Sequence, residues 1–173
     1  MLFMNVAEID YRIWKNEIFV IESTITVSLW DEILIKEFHK KLSNILYEIY
    51  ERTGLISSNS KTLISISFSE DKKIMELNNC FRQKQSATNV LSFPSNNIFK
   101  DQLFLGDIIF SIETIQREAN RDNKSVANHL IHLFIHAVLH LLGYNHETEQ
   151  QAKKMEDLEV EILRNLRIDN PYK

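Results

Sequence analysis

The chain has 173 residues, 44% of them hydrophobic, and a formal net charge of −4 at pH 7. That is enough apolar side chain for one buried core, while the negative charge gives no global attraction for nucleic acid, so such a partner must meet a local cationic patch. The lone Cys80 excludes an internal disulfide and a CxxC thiolate site; the apolar run around His132 to Leu142 is far shorter than the roughly 20 residues of a membrane span, and Met1 to Ala7 lacks the basic start of a signal peptide.

These features predict a cytoplasmic chain with no membrane partner, and with three glycines and two prolines little marks a boundary inside residues 1–173, which are read as one domain. Phe3 to Ile9 and Ile18 to Val27 are strand-like. Asp31 to Arg52 is amphipathic, with Phe38, Leu42, Ile45 and Ile49 on one stripe, Asp31 at the positive end of the dipole and Gly54 as the stop. Thr62 to Phe68 alternates with period two, as a half-buried strand does. Glu70 to Asn79 reads as a short helix, Thr88 to Phe93 as a strand ended by Pro94, and Phe104 to Ser111 as another strand carrying Gly106 and Asp107. Helical patterns follow at Ile112 to Asn120, Val126 to Leu142 and Thr148 to Leu166, the last burying Met155, Leu158, Ile162 and Leu166 and turning Glu156 and Glu159 to solvent. The predicted class is α+β: a small sheet of about four strands packed with about five helices, one of them a zincin-like metal helix.

Five of the six histidines fall between His129 and His146. In HAVLHLLGYNH, His136 and His140 are four apart, so a helix points both imidazoles the same way. Gly143 can adopt the left-handed conformation that ends the helix and turns His146 back towards the pair. Three nitrogen ligands leave a fourth tetrahedral position open, the arrangement of a catalytic rather than a structural zinc, although three histidines also suit other divalent metals. The competing set, His132, His136 and His140, spans roughly 12 Å along a helix axis, too far for both outer rings to bind one ion. His132 is therefore read as a packed neighbour in preference to a hydrogen-bonding supporter of a ligand, and His129 and His39 as solvated positions. The spacing HxxxHxxGxxH matches the extended zinc site of metzincin peptidases, but Ala137 stands where those enzymes carry their glutamate base, so peptide hydrolysis is chemically poor.

Three blocks in order, LNNCFRQKQSATNVLSFP, LGDIIFS, and HAVLHLLGYNH followed by MEDLEVEIL, resemble the YbeY family of bacterial endoribonucleases and rRNA maturation factors over about Leu63 to Tyr172. The resemblance implies one zinc or other divalent ion per chain on His136, His140 and His146, and a role for Arg82 in activity on RNA. It further implies cleavage of single-stranded RNA in small-subunit 3′-end maturation and ribosome quality control, with ribosomal RNA, ribosomal proteins and an assembly GTPase as partners. The chain departs from the family at Ala137, usually glycine, and at Asn145, usually aspartate. Lys72, Lys73 and Lys84 near Arg82, with Arg117, Arg121 and Lys124, are either a local basic groove or scattered solvated charges. Two other readings stand beside the nuclease: a metal-dependent hydrolase of a different substrate, and a non-catalytic assembly factor whose fold the metal stabilises.

Overall fold

The computed structural model describes residues 9–26, 29–54, 61–99 and 102–173. Its sheet has five strands: β1 (Ile9–Lys15), β2 (Phe19–Thr26), β3 (Lys61–Ser69), β4 (Val90–Phe99) and β5 (Gln102–Ser111), in the order β1-β2-β3-β5-β4. β1 and β2 form a hairpin whose turn is closed by Asn16, its side-chain oxygen accepting the Ile18 and Phe19 N–H groups at 2.8 and 2.7 Å. The parallel step from β2 to β3 requires a crossover, supplied by α1 (Glu32–Thr53). Asp31 caps α1 by accepting the Ile33 and Leu34 N–H groups, and Gly54 at φ +65° ends it.

The predicted alternation in β3 is present: Ile64, Ile66 and Phe68 are buried, while Ser65 and Ser67 on the opposite face are half-buried. Phe38 of α1 meets Phe68 edge-on at 5.6 Å and Phe134 at 5.2 Å. This joins the sheet to α4 (Val126–Leu141) through one hydrophobic core. The other helices are α2 (Asp71–Arg82), α3 (Ile112–Arg121) and α5 (Glu149–Asn165). A reciprocal capping box between Thr148 and Gln151 starts α5.

Two sequence expectations change. The sheet gains β1, whose Ile9, Tyr11 and Ile13 are 67%, 54% and 56% exposed, so its apolar alternation faces outward; residues 3–8 of the strand predicted at Phe3 to Ile9 lie outside the described residues. Pro94 does not end β4. The strand runs on to Phe99 through a register shift between Pro94 and Asn97, which an edge strand tolerates because it has no second neighbour to receive the missing N–H.

That irregularity is centred on Gly106, which pairs with Pro94 and has φ +146°. A Cβ there would lie 2.2 Å from the Phe93 carbonyl oxygen and 2.9 Å from Leu141 Cδ2. The absent side chain is what lets the end of α4 approach the β4–β5 pair. Gly106→Ala is expected to destabilise the protein by about 2 kcal/mol or more, a Tm loss on the order of 5 °C in thermal unfolding; an unchanged Tm would show that the strand pair yields without cost.

Candidate metal centre

Almost every side chain of α4 between His129 and Leu141 is buried, except for His132, His136 and His140, which are half-buried and four residues apart. A helix apolar on nearly every side belongs inside a core, and this one keeps a single polar stripe. The helix closes with two bonds: Gly143 N–H donates to His140 O and Tyr144 N–H to Leu139 O, each at 3.0 Å. Gly143 sits at φ +87°, the left-handed position this closure needs. The reversed chain brings the exposed His146 back, its ring centroid 5.5 Å from that of His136 and 5.0 Å from that of His140. Ligand nitrogens of all three lie within 4.8 Å of one another, as the spacing predicted.

The hydrogen bonds fix which nitrogens are available. His136 Nδ1–H donates to Glu159 Oε1 at 2.8 Å, and His140 Nδ1–H donates to the Tyr144 carbonyl at 3.0 Å. A neutral imidazole has one N–H, so each Nε2 presents a lone pair, and the two face each other at 3.1 Å. Lone pairs at that separation repel unless a cation lies between them. Two nitrogens bound tetrahedrally at 2.0–2.1 Å would be roughly 3.3 Å apart. Burial, then the neighbouring His136 and His146, push the His140 pKa down to about 4, so it is an open donor at neutral pH. The donor set fits a divalent ion.

Behind the histidines stands Glu159 of α5, which is 0% exposed. Besides His136 it accepts His132 Nε2–H at 2.8 Å and the Tyr172 hydroxyl. Burial alone would raise its pKa, but the hydrogen bonds from His132 and His136 hold it down at about 2. Burial and the Glu159 charge push the Tyr172 hydroxyl far above its ordinary value. A buried carboxylate needs a counter-charge. A cation on His136 Nε2 would supply one through the ring, in the carboxylate–histidine–metal arrangement that orients ligands and raises their basicity.

Several expectations are corrected here. Glu159 is not on a solvated face, although Glu156 is exposed and Met155 is core as expected. His132 packs on α4 but also binds Glu159. His129 is 7% exposed and paired with Glu118 at 2.7 Å. His39 is half-buried, donating to the Ile35 carbonyl and bonding Ser23, and burial is the main cause lowering its pKa. The sequence reading also missed Tyr172. Glu159 did leave a signal: an acid on the stripe that includes Met155, Ile162 and Leu163.

Arg82 is the last residue of α2, exposed and without an ion-pair partner among the described residues. The second cationic group does not form a free patch. Arg117 pairs with Asp71 at 2.8 Å and Arg121 with Asp122 at 2.6 Å, while Lys124 lies 3.7 Å from Asp122.

The sequence profile of the family described as Endoribonuclease YbeY matches residues 23–167. A Bartonella quintana protein named Endoribonuclease YbeY is 43% identical over 137 residues, 74% of this chain and 87% of its own. A Bartonella henselae protein of the same name is 39% identical over 150 residues, 82% of this chain and 95% of its own. The solution structure of TM1509 from Thermotoga maritima matches with a TM-score of 0.50 at 23% identity, covering 80% of this chain and 93% of that one, a likeness of fold.

Nothing lies within 4 Å of a Cβ built on Gly143, so a substitution there meets only backbone strain. Gly143→Ala is expected to cost about 1 kcal/mol, read as a Tm loss of roughly 2–4 °C, and to weaken zinc binding by displacing His146. A lower Tm with unchanged zinc affinity would detach this turn from the centre.

Proposed function

The chain belongs to the YbeY family, and on that premise we propose that it is a zinc-dependent endoribonuclease cleaving single-stranded RNA during ribosomal RNA maturation in the cytoplasm. The observation that carries the metal part of this reading is the meeting of the His136 and His140 Nε2 lone pairs beside His146, with both Nδ1 atoms already committed as donors. None of the described helices is long and apolar enough to cross a membrane, in keeping with a substrate met in the cytoplasm.

His136, His140 and His146 would hold the ion, which supplies Lewis acidity toward a phosphoryl oxygen and toward water. Glu159 orients His136, and the Tyr144 carbonyl orients His140. His146, the exposed member of the three, leaves the centre open on its side. Arg82 offers a planar cationic fork that no neighbouring carboxylate neutralises among the described residues, suited to a non-bridging phosphate oxygen as charge develops. Beside it, Phe81 is 64% exposed with its ring against Phe93, an apolar face on which an unpaired base can stack. Asn145 keeps the loop before His146 in place by accepting the His146 N–H at 2.9 Å through its side-chain oxygen, a contact that aspartate would also make.

Protein purified without chelator or immobilised nickel is expected to carry about one zinc per chain by mass spectrometry, in line with three histidine ligands, and His140→Ala is expected to lose it. Arg82→Ala should keep the metal and lose RNA cleavage on the order of 100-fold. Undiminished cleavage would move the reading to a hydrolase whose substrate Arg82 does not touch. Asn145→Asp should retain zinc and alter cleavage less than His136→Ala does. Metal-free wild type that still supports maturation would favour the assembly-factor reading.

A further inference from the structure

The chain after α5 folds back across the start of α4. Ile168 N–H donates to the Leu163 carbonyl at 2.9 Å, Lys124 Nζ donates to the Pro171 carbonyl at 2.9 Å, and Tyr172 N–H donates to Asn170 Oδ1 at 2.8 Å. These contacts set the Tyr172 ring edge-on to His132, with centroids 5.7 Å apart at 85°. Its hydroxyl then meets Glu159 Oε2, the same oxygen that receives His132 Nε2–H.

We propose that Tyr172 is a positioning residue for the metal centre, its hydroxyl fixing the Glu159 carboxylate and, through it, the ring of His136. The need arises from two soft torsions in series. The terminal torsion of a glutamate and the ring torsion of a histidine have broad minima, so rotamer preference sets neither the carboxylate plane nor the direction of His136 Nε2. Hydrogen bonds must do so. The two donors from α4, His132 and His136, lie one turn apart on a single helix and approach from that side; the phenol is the donor from elsewhere in the chain. Glu159 is fully buried with the phenol in place.

The inference rests on the reading of the three histidines as a metal site, and its test separates the two. Zinc dissociation constants are measured by competition with a chromophoric chelator for wild type, Tyr172→Phe, Glu159→Gln and the double variant, with the Tm and near-ultraviolet circular dichroism of each apo protein alongside. Tyr172→Phe keeps the ring against His132 and removes only the hydroxyl. It is expected to weaken zinc binding on the order of 10-fold, and Glu159→Gln by 10- to 100-fold. The double variant should bind no more weakly than Glu159→Gln alone, because the phenol acts through that carboxylate; a general loss of stability would not produce this non-additivity. Wild-type affinity in a folded Tyr172→Phe protein, fully additive losses in the double variant, or an apo Tyr172→Phe protein that fails to fold would each overturn the proposal while leaving the metal reading intact. Wild type that binds no zinc would overturn both.

Discussion

A single buried carboxylate organises the inner half of this molecule. Glu159 is fully enclosed between α5, α4 and the C-terminal segment, and it accepts hydrogen bonds from His136, His132 and Tyr172. Burial of an unpaired anion costs several kcal/mol, and the donors that reach Glu159 offset that cost as the core closes. The same requirement fixes the face that α4 turns toward α5, since the two histidines that reach Glu159 lie one turn apart on that helix. The carboxylate therefore contributes to the rotation of α4, beside the packing of Phe134 on Phe38.

Two glycines convert that helix into a site. Gly106 removes the atom that would collide with the Phe93 carbonyl and Leu141, allowing the last turn of α4 to rest against the irregular part of the β4–β5 pair. Gly143 then supplies the left-handed residue from which the chain reverses toward His146. The first glycine acts through space and the second through backbone conformation. Their side-chain requirements differ for that reason: the space at Gly143 is open, whereas the space at Gly106 is occupied.

Features carried by local periodicity were legible in the sequence. The i, i+4 pair His136 and His140, the turn at Gly143, the alternation in β3 and the stripe of α1 each involve neighbours within one or two turns or along one strand. The unread features depend on partners far apart in the chain: His129 with Glu118, His132 with Glu159 27 residues away, Tyr172 with Glu159, and Asp71 with Arg117 46 residues away. No period reports such pairs. Charge alone makes Glu159 read as exposed, although its place among Met155, Ile162 and Leu163 puts it on the buried stripe. Continuation of β4 through Pro94 was hidden for a related reason: whether proline can stay in a strand depends on whether the strand is an edge, and that is a property of the sheet.

The same long-range pairing decides how the charges present themselves to an RNA. Asp71 ties Arg117 to the start of α2, also accepting from Ser111 and Thr114, and Asp122 occupies Arg121 and stands near Lys124. Arg117 thereby ties α3 to α2 and Lys124 holds the C-terminal segment through the Pro171 carbonyl, while Arg121 is neutralised by its chain neighbour. Arg82 and Lys84, at and just past the end of α2, are exposed and have no such partner among the described residues. Thus a chain with net negative charge can still offer phosphate a local cation, because Arg82 and Lys84 are among the cations that its acidic residues leave unpaired among the described residues. The three-histidine cluster shows a gradient of its own. His136 and His140 are each held through Nδ1 by an acceptor in the fold, while among the described residues His146 is tied through its backbone N–H and not through its ring. The two tethered histidines face the core and the least constrained one faces solvent, so a molecule approaching from the open side meets the part of the cluster that can adjust without disturbing the buried carboxylate.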